Sequence, residues 1–114
     1  MTTDKELLEL AAKAAGIEHP GGDHSIANDG RLWDCNGLRW WNPLTDDGDA
    51  LRLAVKLELS QLFDSMPDGL IVEIGIPWHD TLFNTIFTEP IGKDKYSATR
   101  RAIVRAAAEI GKAA

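Results

Sequence analysis

Thiols are nearly absent from this chain: Cys35 is its single cysteine. No intrachain disulfide can form, so a disulfide scaffold is excluded, and a reducing cytosol suits the chain better than an oxidising compartment. Long apolar runs are missing as well. The longest, Leu70 to Trp78, is interrupted by Glu73 and Pro77, which leaves it far short of the ~18 residues that read as a membrane span. The opening Met1-Thr2-Thr3-Asp4-Lys5-Glu6 lacks the basic region and apolar core of a signal peptide. The expectation is a soluble, cytoplasmic protein. There is no zinc-type Cys/His spacing, no Gly-rich phosphate loop between a strand and a helix, no internal repeat and no low-complexity tract.

Basic residues are in deficit, 12 Lys/Arg against 18 Asp/Glu, for a net charge of -6. Residues 90–114 carry six Lys/Arg against Asp94 and Glu109, or +4, which leaves -10 on residues 1–89. An acidic body repels phosphate backbones and anionic lipid. The basic C-terminal segment can fold back on that body.

What is present suits one domain over residues 1–114: 44% hydrophobic residues, and a length that buries roughly two-thirds of the unfolded surface without a metal. Thr3 and Glu6 have capping-box spacing, in which each side chain bonds the other residue's backbone N–H. Leu7, Leu10, Ala11 and Ala14 follow at helical period, and Gly16 with Ile17 can close the C-terminus. A first helix is expected at about 3–15. Residues 18–30 are dense in turn formers. Strands at 31–34 and 38–41 flank Cys35-Asn36-Gly37, whose Asn-Gly is a hairpin signal. A second helix is expected from about Asp46 to Phe63, capped at Thr45, Asp46 or Asp47 and continuing past Leu57. Its apolar arc makes it largely buried, with Asp49, Arg52, Lys56 and Ser60 as the wet edge. The alternation of Leu51, Leu53, Val55, Leu57 and Leu59 is a competing strand signal, outweighed by the helix propensity of Ala, Leu, Lys and Glu. Met66-Pro67-Asp68-Gly69 reads as a turn, Leu70 to Ile76 as a strand, and Thr81 to Thr88 as another. A last helix spans about Ser97 to Ile110, where alanines permit close packing. The fold class is therefore α+β, a small antiparallel sheet covered by three helices in the order α-β-β-α-β-β-α.

Three pieces of the chain carry a resemblance. They are Asp4-Lys5-Glu6-Leu7-Leu8-Glu9-Leu10-Ala11, then Trp41-Asn42-Pro43-Leu44 leading to Asp49-Ala50-Leu51-Arg52-Leu53, and finally Ala98-Thr99-Arg100-Arg101-Ala102-Ile103-Val104-Arg105-Ala106. Together they resemble small bacteriophage and prophage proteins of the NinX-like and phage ABA-sandwich groups. The resemblance implies an α+β sandwich and a small accessory role, such as binding a host or phage protein. It carries over no activity, cofactor or catalytic residue.

Candidate chemistry is sparse. His19, Asp23 and His24, with Asp34 or Cys35, hold metal-ligand types, yet their spacing matches no zinc signature and a solvated loop accounts for them. Asp46-Asp47-Gly48-Asp49 is not a calcium loop, because its twelfth position is Leu57; capping accounts for the acids. Cys35 has no activating partner at a recognisable spacing, and a small packing residue is the bland reading. Glu58 and Glu73 fall among apolar residues, where a carboxylate can become a general base; the favoured account is that Glu73 marks the solvent face, or that either pairs with an arginine of the last helix. His79 and Asp80 are adjacent, which points them apart in an extended segment. A small metal-dependent or hydrolase-like enzyme would need Glu73, His79 and Asp80, or the His19/His24 loop, to converge. A nucleic-acid accessory factor would use Arg100, Arg101, Arg105 and Lys112, which lack interleaved aromatics. The leading expectation is a non-enzymatic protein-binding module with no cofactor, no membrane and no nucleic-acid partner. Its expected binding residues are Trp33, Trp40, Trp41 and Trp78, since tryptophan dominates interface hot spots. Changing Thr45, Asp46 and Asp47 together to Ala should cost roughly 1–2 kcal/mol through the lost cap and dipole compensation; an unchanged denaturant midpoint would count against the cap.

Overall fold

The computed structural model describes residues 3–18, 26–27, 29–77 and 86–113. Helix α1 (Asp4–Ala15) starts at Thr3, whose hydroxyl oxygen accepts the Glu6 N–H at 3.2 Å. The reciprocal half of the capping box differs from expectation. The Glu6 carboxylate takes the Thr3 hydroxyl, 3.2 Å away, instead of the Thr3 backbone N–H. Gly16 closes the helix in the left-handed region at φ 72, and the Ile17 N–H returns to Ala12 O at 2.9 Å. Leu7, Leu8, Ala11, Ala12 and Ala15 are buried.

Strands β1 (Leu32–Asp34) and β2 (Arg39–Trp41) pair antiparallel, with Leu32 opposite Trp41 and Trp33 opposite Trp40. The connection is a four-residue turn, 35–38, and its positive-φ residue is Leu38 at 53. Leu32 and Trp41 enter the core while Trp33 and Trp40 lie half-buried on the other face.

Helix α2 (Asp47–Lys56) is capped by Asp46, whose carboxylate accepts the Asp49 N–H at 2.8 Å. It ends seven residues before the expected Phe63. Glu58 takes φ 54, its N–H bonds Val55 O at 3.2 Å, and the Leu59 N–H bonds Ala54 O at 3.0 Å. These two bonds make a Schellman closure with Glu, not Gly, in the left-handed position. Residues expected to finish the helix and enter a turn instead form β3 (Ser60–Met66). Strand β3 makes a hairpin with β4 (Gly69–Gly75) through Pro67-Asp68, and β4 pairs with β5 (Ile86–Pro90), all antiparallel in the order β3-β4-β5. The expected succession of helices and hairpins is thus observed, with β3 added, and the α+β class holds. Residues 81–85 of the expected fourth strand, Thr81 to Thr88, lie outside the described residues.

Helix α3 (Lys95–Ala113) is longer than expected at both ends. The Asp94 carboxylate accepts the N–H groups of Tyr96 and Ser97 at 3.0 and 3.2 Å. Its buried residues are Ala98, Ala102, Ile103, Val104, Ala106, Ala107, Ala108 and Gly111. That set wraps most of the helix because α3 touches α1, α2, β4 and β5. Val72, Ile74 and Phe87 of the sheet and Leu7, Leu8 and Ala11 of α1 share the one core with it.

Near its C-terminus α3 meets α1 backbone to helix: a Cβ built on Gly111 would stand 2.0 Å from Leu10 O. Gly111→Ala should therefore lower stability by at least about 2 kcal/mol despite the better helix propensity of Ala, because the two helices must separate. Glu58→Gly should act oppositely, raising stability by about 0.5–1 kcal/mol as the left-handed residue loses its Cβ. Urea denaturation checks both, and a Gly111→Ala midpoint at or above wild type would refute the close approach.

Candidate functional site: an apolar groove beside a free sheet edge

The position of α2 is set by the turn before it. Asn42 is buried, and its side-chain Oδ1 accepts the Leu44 N–H at 2.9 Å. Its carbonyl accepts the N–H groups of Thr45 and Asp46 at 3.2 and 3.0 Å. Its own N–H donates to Asp49 Oδ2 at 3.0 Å. Asp49 is 5% exposed, and its Oδ1 also accepts from Arg39 at 2.8 Å and from Arg52 at 2.9 Å. The expected place of Asp49, on the wet edge of α2, is corrected. It is a buried acceptor that ties β2, the Asn42 turn and the helix together. The acids that superficially suggest a calcium loop are each engaged within the fold. Asp46 caps the helix, Asp49 receives two guanidiniums, and Asp47 pairs with Arg100 at 2.6 Å.

Held this way, α2 buries only Asp49, Ala50 and Leu53. The expectation of a largely buried helix is overturned: Leu51 and Val55 are 64% and 67% exposed. A groove of about 550 Å³ runs between α2, β3 and the start of α3. Leu51, Phe63, Leu70, Tyr96 and Ile103 make it apolar, and Asp47, Lys95 and Arg100 stand among the lining residues. Leu51, Phe63, Leu70 and Tyr96 are all exposed large hydrophobic residues. Such a concave, mostly apolar surface with a few charged groups is what binding sites are made of. Its sequence signal is the leucine alternation at 51–59. Read as the buried side of one longer helix, that alternation conceals the groove.

The tryptophans divide. Trp41 is 3% exposed and belongs to the core, so its assignment to a binding surface is corrected. Trp33 and Trp40 are half-buried and pack edge to face, with ring centroids 5.3 Å apart and planes at 72°. The Arg31 guanidinium lies 5.3 Å from the Trp40 centroid. It also donates to Asp29 Oδ1 at 2.8 Å, and that hydrogen bond holds the Asp29 carboxyl below its usual pKa. Trp78 lies outside the described residues.

So do His19, Asp23, His24, His79 and Asp80, and no convergence of these with Glu73 is on view. Among the described residues no group of three or more His, Cys, Asp or Glu is placed to hold a metal. Glu73 is half-buried on β4, opposite Leu62 and Thr88 and on the face away from Val72 and Ile74. The sheet carboxylate that meets an arginine of α3 is Glu89, paired with Arg105. Glu58 is exposed at the end of α2. Cys35 is exposed in the hairpin turn, which corrects its expected place as a small packing residue. The basic face of α3 is engaged within the chain. Arg100 donates to Leu44 O and Asp47, Arg101 to Asp4 at 3.1 Å, Arg105 to Thr88 O and Glu89, and Lys112 stands 3.8 Å from Glu109.

No protein-family model, curated protein or solved structure matches this chain.

Asp49→Ala should cost about 2–3 kcal/mol, most of it from the buried Asn42 N–H and two guanidiniums left without their acceptor, and less than a fully buried pair because both arginines are half in water. Asp49→Asn keeps one acceptor oxygen and should lose less. Thermal or urea melts of the two variants check the order; equal stability of Asp49→Ala and wild type would remove Asp49 from this role.

Proposed function

We propose that the chain is a non-enzymatic, protein-binding accessory domain, of the phage or prophage kind that its three sequence pieces resemble. The observation that carries this reading is the groove between α2, β3 and α3, where four large apolar side chains stay exposed in a chain of 114 residues. An apolar concavity of that kind is costly to leave in water and is the usual mark of a recognition site. The occupant is an apolar anchor side chain of a host or phage protein, flanked by a carboxylate. The anchor fills the space between Leu51, Phe63 and Tyr96. The carboxylate meets Lys95, whose ammonium sits 6.0 Å from the Tyr96 ring and makes no ion pair among the described residues. Trp33 and Trp40 supply a second, smaller aromatic surface with Arg31.

Leu51→Glu places a charge in the apolar wall without touching the core. It should abolish capture of the cognate protein from bacterial lysate and reduce the fluorescence of bound anilinonaphthalene sulfonate, while leaving stability within about 1 kcal/mol of wild type, as expected for an exposed position. Trp33→Ala and Trp40→Ala serve as comparison. If Leu51→Glu captures the same proteins and binds the dye as wild type does, the groove is not the binding surface.

A further inference from the structure

We propose that β3 pairs along its free edge with β3 of a second copy of this chain, joining two three-stranded sheets into one of six strands about a two-fold axis at Phe63. This goes beyond the groove reading and does not depend on it.

The backbone directions come from one hydrogen bond. The Ile91 N–H donates to Leu70 O at 2.9 Å, so Leu70 turns its polar groups toward the β5 side. In an antiparallel ladder a residue and its opposite number either bond each other or both face away. Leu70 stands opposite Ser65. Ser65 therefore turns its N–H and C=O outward, and by alternation so do Phe63 and Gln61. Among the described residues only one of these groups has a partner, the Ser65 N–H, which donates to Asp64 Oδ1 at 2.8 Å.

The two edges of the sheet are unlike. By the same alternation β5 turns Thr88 and Pro90 outward, opposite Glu73 and Ile71. Pro90 has no N–H to give, and the Thr88 carbonyl is taken by Arg105 at 2.9 Å. That edge is interrupted at both residues. Strand β3, Ser-Gln-Leu-Phe-Asp-Ser-Met, has no proline, no lysine and no bulge, and all seven residues are exposed. Natural sheets protect or pair such an edge.

A second copy fits this edge and ends the assembly. With the axis at Phe63, Gln61 lies opposite the partner's Ser65, and the outward groups of three residues on each side make four backbone hydrogen bonds as they stand, and six once each Ser65 N–H leaves Asp64 Oδ1. On one face Phe63 meets the partner's Phe63. On the other, Leu62 meets the partner's Asp64, and the two Asp64 carboxylates are held a diagonal step apart, about 7 Å or more. Moving the axis one residue on would put Asp64 against the partner's Asp64, and moving it the other way shortens the overlap. The pairing is isologous, so it closes at two copies, and the edges that remain are the β5 edges, interrupted at Thr88 and Pro90. The same strand meeting β5 of a neighbour would grow without limit, and Pro90 with Arg105 stands in the way of that.

Sedimentation equilibrium of the full chain and amide exchange by nuclear magnetic resonance, from about 1 µM to about 1 mM, test the pairing. The mass should rise from 12.5 kDa toward twice that value, and the Gln61 and Phe63 amides should become protected over the same range. Added salt should tighten association, since each copy carries -6. Phe63→Lys should restore the monomer mass. Ser65→Pro, which removes only an outward N–H, should do so with the β4 ladder intact. Asp64→Ser should tighten the dimer about five-fold, because it frees the Ser65 N–H and removes a charge from the seam. A monomer at every concentration overturns the proposal, as does a dimer whose Gln61 and Phe63 amides exchange freely or whose mass is indifferent to both disruptive variants. Where a variant fails to fold, the wild-type amide exchange decides alone.

Discussion

The contact on which the rest of the molecule depends is the close approach of α3 to α1. Helices pack at this distance only if the side chains between them are small, and α3 presents Ala102, Ala106, Ala107, Ala108 and Gly111 among its buried residues. Gly111 against the Leu10 carbonyl is the tightest point. Because α3 also touches α2, β4 and β5, its axis sets where the sheet and the second helix can lie. The arginines on its half-buried side then reach Asp4, Asp47 and Glu89, one each on α1, α2 and β5. Three of the six basic residues in the last 25 are thus used inside the fold, as ties to an acidic body.

Much of this is legible in the sequence because local chemistry and the final packing agree. Thr3, Gly16 and Asp46 occupy the end positions that their side chains favour, and the helices begin or end there. The β1–β2 hairpin also appears where turn residues separate two short aromatic runs. The end of α2 is not legible, for an identifiable reason. The left-handed position that stops it is held by Glu58, not by glycine or asparagine. The run from Leu51 to Leu59 satisfies a helix at its start and a strand at its end. Nothing in the residue types marks the switch; the Schellman bonds at Glu58 and Leu59 do.

That one boundary also accounts for the candidate site. A helix carried through to Phe63 would turn Leu51, Val55, Leu57 and Leu59 onto one buried arc. Stopping at Lys56 leaves Leu51 and Val55 in solvent and releases residues 60–66 as an exposed strand. The groove and the free edge are thus two results of the same local event. Neither contains an unusual residue, which is why a search for catalytic or metal-binding types passes over them. Tryptophans draw the eye by their rarity. Trp41 is a core residue and Trp33 with Trp40 a half-buried pair, so rarity is a weaker guide than the pattern of exposure.

The Asn42–Asp49 cluster connects these levels. Asp49 sits in the first turn of α2, where a carboxylate also complements the helix dipole, and it accepts a backbone N–H from the end of the β1–β2 hairpin. The helix is therefore fixed at its N-terminus by a buried polar contact and at its C-terminus by a left-handed residue, with Ala50 and Leu53, and the partly buried Ala54, as apolar anchors between. An element held mainly by its ends can keep an exposed apolar side without losing its place. A helix held by a full hydrophobic face could not present Leu51 to solvent, since that face would already be committed to the core. The polar cluster is thus what allows the groove wall to be both apolar and fixed in position.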